Sequence, residues 1–228
     1  MPAAILSASS GAAEATIEQT KLIVHEVRNA LIPVRHDIDA LRAFATEHAQ
    51  QARIDAAKQG VARVLDFVEA MAQMSELITE PAVRCEIGAV VDEAVGWVDA
   101  SRRIVRVASS QAVHVLAARV RFARAISNVV SNALQATTAE QLVRVSIGRG
   151  PGVVRVVVED GGPGIPAEHR ARVFLEGVTM RPDGAGSGFG LAFARRVVVD
   201  ALHGKIWCED SDLGGARFVI EVPEASPG

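Results

Sequence analysis

Two rhythms of apolar positions divide this chain of 228 residues. In the first 80 residues Val24, Val27, Leu31, Val34, Ile38, Leu41 and Ala45 recur at alternating spacings of three and four, the heptad seam of a helix packed against another helix. Ile54, Ala57, Val61, Val64, Val68 and Met71 keep the same rhythm, and Ile78 extends it past a polar Ser75. The polar stretch at residues 47–51 between the two seams is short enough for an antiparallel helical hairpin. Leu65, Phe67, Met74 and Leu77 widen the apolar stripe beyond what one hairpin can bury. The pattern therefore predicts a homodimer in which two hairpins form a four-helix bundle.

After residue 80 the rhythm changes. Stretches at about 87–99, 119–137 and 189–202 have helical period, whereas VRVSIG and VVRVVVED are β-rich runs joined by the turn sequence RGPG, a hairpin. KIWCED and ARFVIEVP add two strands, and IVRV with VHVL two short ones. An α/β sandwich of one mixed sheet under helices follows. The domain reading is a tail at 1–12, a helical hairpin at 13–80, an α/β domain at 81–223 and a tail at 224–228; no internal repeat is present.

Composition sharpens this division. Residues 1–80 hold 2 of the 19 glycines, 2 of the 9 prolines and neither tryptophan, with 7 basic against 11 acidic residues, as expected of helices alone. The whole chain carries 24 Lys and Arg against 27 Asp and Glu, which excludes a nucleic-acid binder working through a basic field. With 4 % aromatic residues and no tyrosine, the core must be built from Ala, Val, Leu and Ile. No apolar run approaches the roughly 18 to 20 residues of a membrane span. The opening MPAAILSASSGAA lacks the basic region of a secretory signal and reads as a loose tail. Cys85 and Cys208 stand far apart and outside any CxxC pattern, so reduced thiols in a cytoplasmic protein are expected.

Four short stretches carry candidate chemistry. The first, HEVRNALIP at residues 25–33, places His25 roughly 130° from the centre of the seam, facing solvent, with Glu26 beside it and Asn29 one turn on. Pro33 lies inside the helical pattern, at a cost of about 3 kcal/mol and with a kink. In ISNVVSNALQAT, Asn128 and Asn132 are four apart on one helix, so both amides face one way and can offer neutral oxygen ligands to a hard cation. In VEDGGPGIP, Asp160 ends an apolar strand and precedes Gly161, Gly162 and Gly164, a turn that lets backbone approach a planar ligand; the carboxylate can accept from an amino group. In GAGSGFGLAFARRVV, Gly184, Gly186, Gly188 and Gly190 precede an apolar helix, giving backbone N–H groups suited to phosphate.

Together, in this order and spacing, these stretches resemble the H, N, G1 and G2 boxes of two-component sensor histidine kinases, over about residues 13–223. The resemblance implies a Bergerat (GHKL) ATPase fold following the dimerisation hairpin. It implies that ATP is the phosphoryl donor, with Mg²⁺ held by Asn132, Asn128 in support, and the adenine amine on Asp160. Gly162, Gly164, Thr179, Gly186, Gly188, Gly190 and Leu191 would line the nucleotide, and the segment between Gly164 and Gly186 would be its lid. His25 would be the phosphoacceptor, Glu26 its acid/base and Asn29 the support for a reverse phosphatase reaction. The partner implied is an aspartate of a response regulator receiver domain, and HEVRN with NALQA is most similar to the nitrogen-regulation type.

Related ATPases that hydrolyse with water carry a glutamate four residues before the metal-binding asparagine, and Asn128 stands there in this chain. A neutral amide is a poor general base, so the γ-phosphoryl group is reserved for another acceptor. Other departures are Ala30 where a proline is common, Gly177 and Val178 where lid aromatics are common beside Phe174, Gln135 for a frequent lysine, and Ala216 for a frequent threonine. They leave a phosphatase-biased or non-catalytic phosphotransfer scaffold as the alternative, with a plain ATPase or protein-serine kinase a third reading.

Overall fold

The computed structural model describes residues 80–98, 104–107, 112–178 and 188–226, and before them residues 27, 31–32, 34–41, 50–57, 60–61, 64 and 68. The described residues fall in two compact units, one holding those before residue 80 together with 188 and 189, and the other 80–178 with 190–226. In the first unit every described residue before residue 80 is helical. Its seam positions Val34, Leu41 and Val64 are exposed, while Val68 is buried. Pro33 and residues 47–49 of the polar stretch lie outside the described residues; Gln50 and Gln51 are already helical.

The second unit runs β1 (Val83–Glu86), α1 (Ile87–Gly96), β2 (Ile104–Val107), β3 (His114–Ala117), α2 (Arg119–Ala136), β4 (Val143–Gly150) and β5 (Val153–Glu159). It continues through two 3₁₀ turns, α3 (Gly190–Arg195), a π-helical extension over Arg196–Ala201, β6 (Lys205–Asp210) and β7 (Ala216–Pro223). β2, β4, β5, β7 and β6 form a five-stranded sheet in that order, with β2 parallel to β4 and the other neighbours antiparallel. The β4–β5 hairpin turns at Pro151 and Gly152, as RGPG predicts.

Helices cover one face of this sheet. Their apolar faces, Val90, Val91 and Ala94 of α1, Phe122, Ile126, Val129 and Val130 of α2, and Phe193 and Ala194 of α3, are buried together with Val145, Val156, Phe218 and Ile220 of the strands. Alanines at 123, 125 and 133 keep α2 thin where α1 and α3 pack on it, which is how a chain poor in aromatics closes its core. On the other face the register sets Arg144, Glu159, Arg217 and Glu209 in one row across four strands. Charge alternates along it, and Arg144 lies 3.6 Å from Glu159 and Arg217 3.4 Å from Glu209. Arg155 and Glu221 pair at 2.8 Å four residues along the same strands, and Val157 and Val219 between these rows are nearly inaccessible, as the stems of long charged side chains on either side allow.

Two sequence expectations are corrected. β3 is not in the main sheet: it pairs with β1, an unpredicted strand, in a separate antiparallel ribbon. A four-residue alternation reports a buried face, here Cys85 against Val115, but not which strand will lie beside it. The helix expected at 189–202 is α-helical only to Arg195, after which Leu202 N donates to Val197 O at 3.0 Å, the i to i−5 bond of a π turn. Residues 224–226 are bonded back onto the domain, Glu224 N to Gly152 O and Ala225 N to His114 O. Among the described residues no helix is long and apolar enough to cross a membrane.

Candidate functional site

Among the described residues of the second unit, Asp160 is the least exposed of the buried polar side chains. It follows β5 directly, and its backbone is bracketed by β7: Asp160 N donates to Ala216 O at 2.9 Å, and Gly215 N donates to Asp160 O at 3.1 Å. The carboxylate is 1 % exposed. Its Oδ1 accepts from Gly162 N at 2.9 Å and from Ala216 N at 3.1 Å, whereas the buried Oδ2 has no partner. Burial pushes the carboxyl above its ordinary range, against the lowering effect of the two backbone donors. A buried carboxylate oxygen without a donor costs free energy unless something outside the chain supplies an N–H or O–H.

The glycines around it are there for space. A Cβ on Gly215 would lie 2.2 Å from Asp160 Oδ1, and one on Gly162 would lie 2.6 Å from Ala136 O. Gly162 thus lets the turn after β5 close onto the end of α2. Gly164 in the same turn has a positive φ of 71°. Gly215 escaped sequence reasoning, although the GGA preceding a strand was a visible turn signal.

α2 supplies the second part of the site. Its buried face points into the core, leaving Asn128, Ser131 and Asn132 half-buried and Gln135 exposed along one side, with Gln135 Nε2 donating to Ser131 Oγ. Asn128 Nδ2 donates to Gly190 O at 3.3 Å, so α2 is tied to the start of α3 and the amide oxygen of Asn128 is what it can offer a ligand. Leu191, next on α3, is half-buried. Among the described residues no cluster of three or more His, Cys, Asp and Glu could hold a metal.

Beyond the turn, Arg170 Nε donates to Ile165 O at 3.0 Å and its Nη2 reaches Asp210 at 2.5 Å, while the Phe174 ring meets Phe218 edge-on at 6.2 Å. Phe174 is therefore a core anchor for the segment, and Gly177 stands exposed with φ 73°. Buried Cys208 is pushed up to about 11 by desolvation, outweighing Arg170, and stays a neutral thiol. The structure thus brings Asp160, Gly162 and Gly164 together at one end of α2 and sets Asn128 against Gly190. His25, Glu26, Asn29, Thr179 and Gly186 lie outside the described residues.

Residues 117–226 match the family described as histidine kinase-, DNA gyrase B-, and HSP90-like ATPase. The probable sensor kinase SilS of Salmonella typhimurium is 40 % identical over 106 residues, covering 45 % of this chain and 21 % of SilS. The adaptive-response sensory kinase SasA of Prochlorococcus marinus is 28 % identical over 221 residues, 89 % of this chain and 57 % of SasA. The catalytic domain of histidine kinase ThkA superposes with a TM-score of 0.57 at 26 % identity, covering 63 % of this chain and 95 % of that domain. ThkA in complex with the response regulator protein TrrA gives 0.64 at 22 % identity over 91 % of this chain and 61 % of that one, a likeness of fold. The second unit carries a histidine kinase-type ATPase domain of the GHKL α/β fold. The matched part of the chain spans about a fifth of SilS and just over half of SasA.

Proposed function

We propose that this chain is the catalytic part of a two-component protein-histidine kinase, transferring the γ-phosphoryl group of ATP to His25 and from there to an aspartate of a response regulator. The observation that carries the reading is Asp160: one oxygen held by two backbone N–H groups, the other buried and without a donor, which the adenine amino group would supply. Gly162 and Gly164 flank the base, and Thr179, Gly186, Gly188, Gly190 and Leu191 line the rest of the nucleotide. Asn132, supported by Asn128, would hold Mg²⁺, which contributes charge neutralisation on the phosphates. The half-buried amides of Asn128 and Asn132, four apart on one helix, fit that donor set.

In the transfer, a neutral imidazole nitrogen of His25 forms a bond to the γ-phosphorus as the bond to the β,γ-bridging oxygen breaks and ADP departs, with Glu26 taking the imidazole proton. Asn128, already committed to Gly190 O, has no basic oxygen for activating water, which favours transfer to a side chain over hydrolysis. Asn29 serves the reverse reaction on the regulator. The exposed seam residues Val34, Leu41 and Val64 support the dimeric four-helix bundle, and HEVRN with NALQA supports the nitrogen-regulation subtype. The working division is a hairpin at 13–80 and a catalytic domain at 81–223, acting in the cytoplasm.

The decisive assay uses γ-labelled ATP with Mg²⁺. An acid-labile, base-stable label is expected on the parent chain, none on His25→Gln, and a loss of labelling of about 100-fold or more on Asn132→Ala with folding intact. Labelling that survives His25→Gln removes His25 as acceptor, and an active Asn132→Ala removes the metal role.

A further inference from the structure

We infer that Gln141 is a positioning residue for recognition of the base, a proposal that rests on the reading of Asp160 as the adenine carboxylate. Gln141 stands in the short connection between α2 and β4, and its amide joins two segments. Its Oε1 accepts from Thr138 N at 2.9 Å, just past the end of α2. Its Nε2 donates to Gly161 O, the carbonyl between Asp160 and Gly162. The same turn touches α2 at one further point, where Gly162 lies against the Ala136 carbonyl so closely that a Cβ would come within 2.6 Å.

The consequence runs through one backbone group. Gly162 N is one of only two donors holding Asp160 Oδ1, and its direction is set by the Gly161 peptide that Gln141 grips. The contact at Ala136 limits how near the turn can come, but repulsion has no power to keep it from moving away. The Gln141 bond supplies the attraction. Two consecutive glycines give that turn little stiffness of its own. Without Gln141 the Gly161 peptide is held less firmly, Gly162 N can leave Oδ1, and Ala216 N alone is left to orient the Asp160 carboxylate toward the ligand. Gln141 also fixes this turn to the helix bearing Asn128 and Asn132, so the base end and the phosphate end of the site are held in one frame.

A positioning role of this kind predicts a loss of discrimination rather than a general loss of affinity. The test compares equilibrium binding of ATP and of purine riboside triphosphate, which has hydrogen in place of the 6-amino group, to the full chain with Mg²⁺. The parent is expected to prefer ATP by roughly 10- to 100-fold, the worth of a hydrogen bond to a charged acceptor. Gln141→Ala should shrink that preference by about fivefold or more while changing affinity for the analogue by less than about twofold. Gln141→Glu should do the same, because it keeps an oxygen for Thr138 N but has no donor for Gly161 O. A preference unchanged in either variant overturns the proposal, as does an equal loss of both nucleotides in both variants, which marks a purely structural role. A parent chain with no preference for the amino group overturns the base reading itself, and the Gln141 proposal with it.

Discussion

Asp160 sets ligand recognition against stability within a single side chain. Its pKa is raised by burial, so the folded chain holds the proton more tightly than the unfolded chain, whose carboxylate titrates near about 3.9. The stability linked to that proton is fully present below the unfolded value and is lost as pH rises through the folded value. At neutral pH the buried ionised carboxylate is therefore a cost that Asp160→Asn removes. The substitution is expected to raise the melting temperature at neutral pH by a few degrees, with the gain fading as the pH falls into the carboxyl range, while ATP binding is lost. Thermal unfolding of both proteins across that range decides it: a gain that grows on acidification reverses the sign of the argument. Asp160 itself was legible because an apolar run ending in DGGPG is a local pattern. Gly215 and Gln141 were not, because the residues that explain them are Asp160 and Gly161, 55 and 20 positions away, and no periodicity reports such distances.

At the scale of elements, the sequence predicts α2 to within a residue, 119–137 against Arg119–Ala136, because 18 residues of one amphipathic face repeat the same message five times. What begins that helix was not legible. Its N-cap is Ala118, which offers no side-chain bond, and its first turn has no acidic residue. The cap comes from Glu80, whose two carboxylate oxygens accept from Val120 N at 2.8 Å and Arg121 N at 3.1 Å, while Arg121 Nη2 donates back to Glu80 O at 3.0 Å. The first residue of the second unit thus satisfies the open N–H groups of the helix that carries both asparagines. Glu80→Ala should destabilise this unit by about 1 to 2 kcal/mol, and Ala118→Asp, which provides a local cap, should recover about half of the loss. Denaturant titration of the three proteins measures this; an unchanged midpoint for Glu80→Ala shows that water replaces the carboxylate at no cost. The π-helical end of α3 escaped the sequence for a related reason: two adjacent buried valines, Val197 and Val198, fit an α-period as well as a π turn.

For the whole molecule the unsettled surface lies in the first unit. Exposed large apolar residues also occur in the second, on β2 at Val105 and Val107, on the small ribbon at Val83 and Leu116, and singly at Trp97, Val120, Leu142 and Leu175, but none of these belongs to a heptad repeat. Val34, Leu41 and Val64 differ in being members of two heptad seams, at 42 %, 59 % and 45 % exposure. A seam left open to water forgoes about 1.5 to 3 kcal/mol for each such side chain, and a second copy offers the same seams in return. The chain is therefore expected to sediment as a dimer. Leu41→Glu with Val64→Glu should convert it to a monomer, because two charges per chain, four per bundle, would have to be desolvated in the core. ATP binding should survive, since Asp160, Asn128, Asn132, Gly162 and Gly164 all belong to the second unit and neither substituted residue does. Sedimentation and nucleotide titration on one preparation separate the two claims: a double variant that still dimerises moves the interface elsewhere. A monomer that no longer binds ATP shows instead that the nucleotide site depends on the dimer.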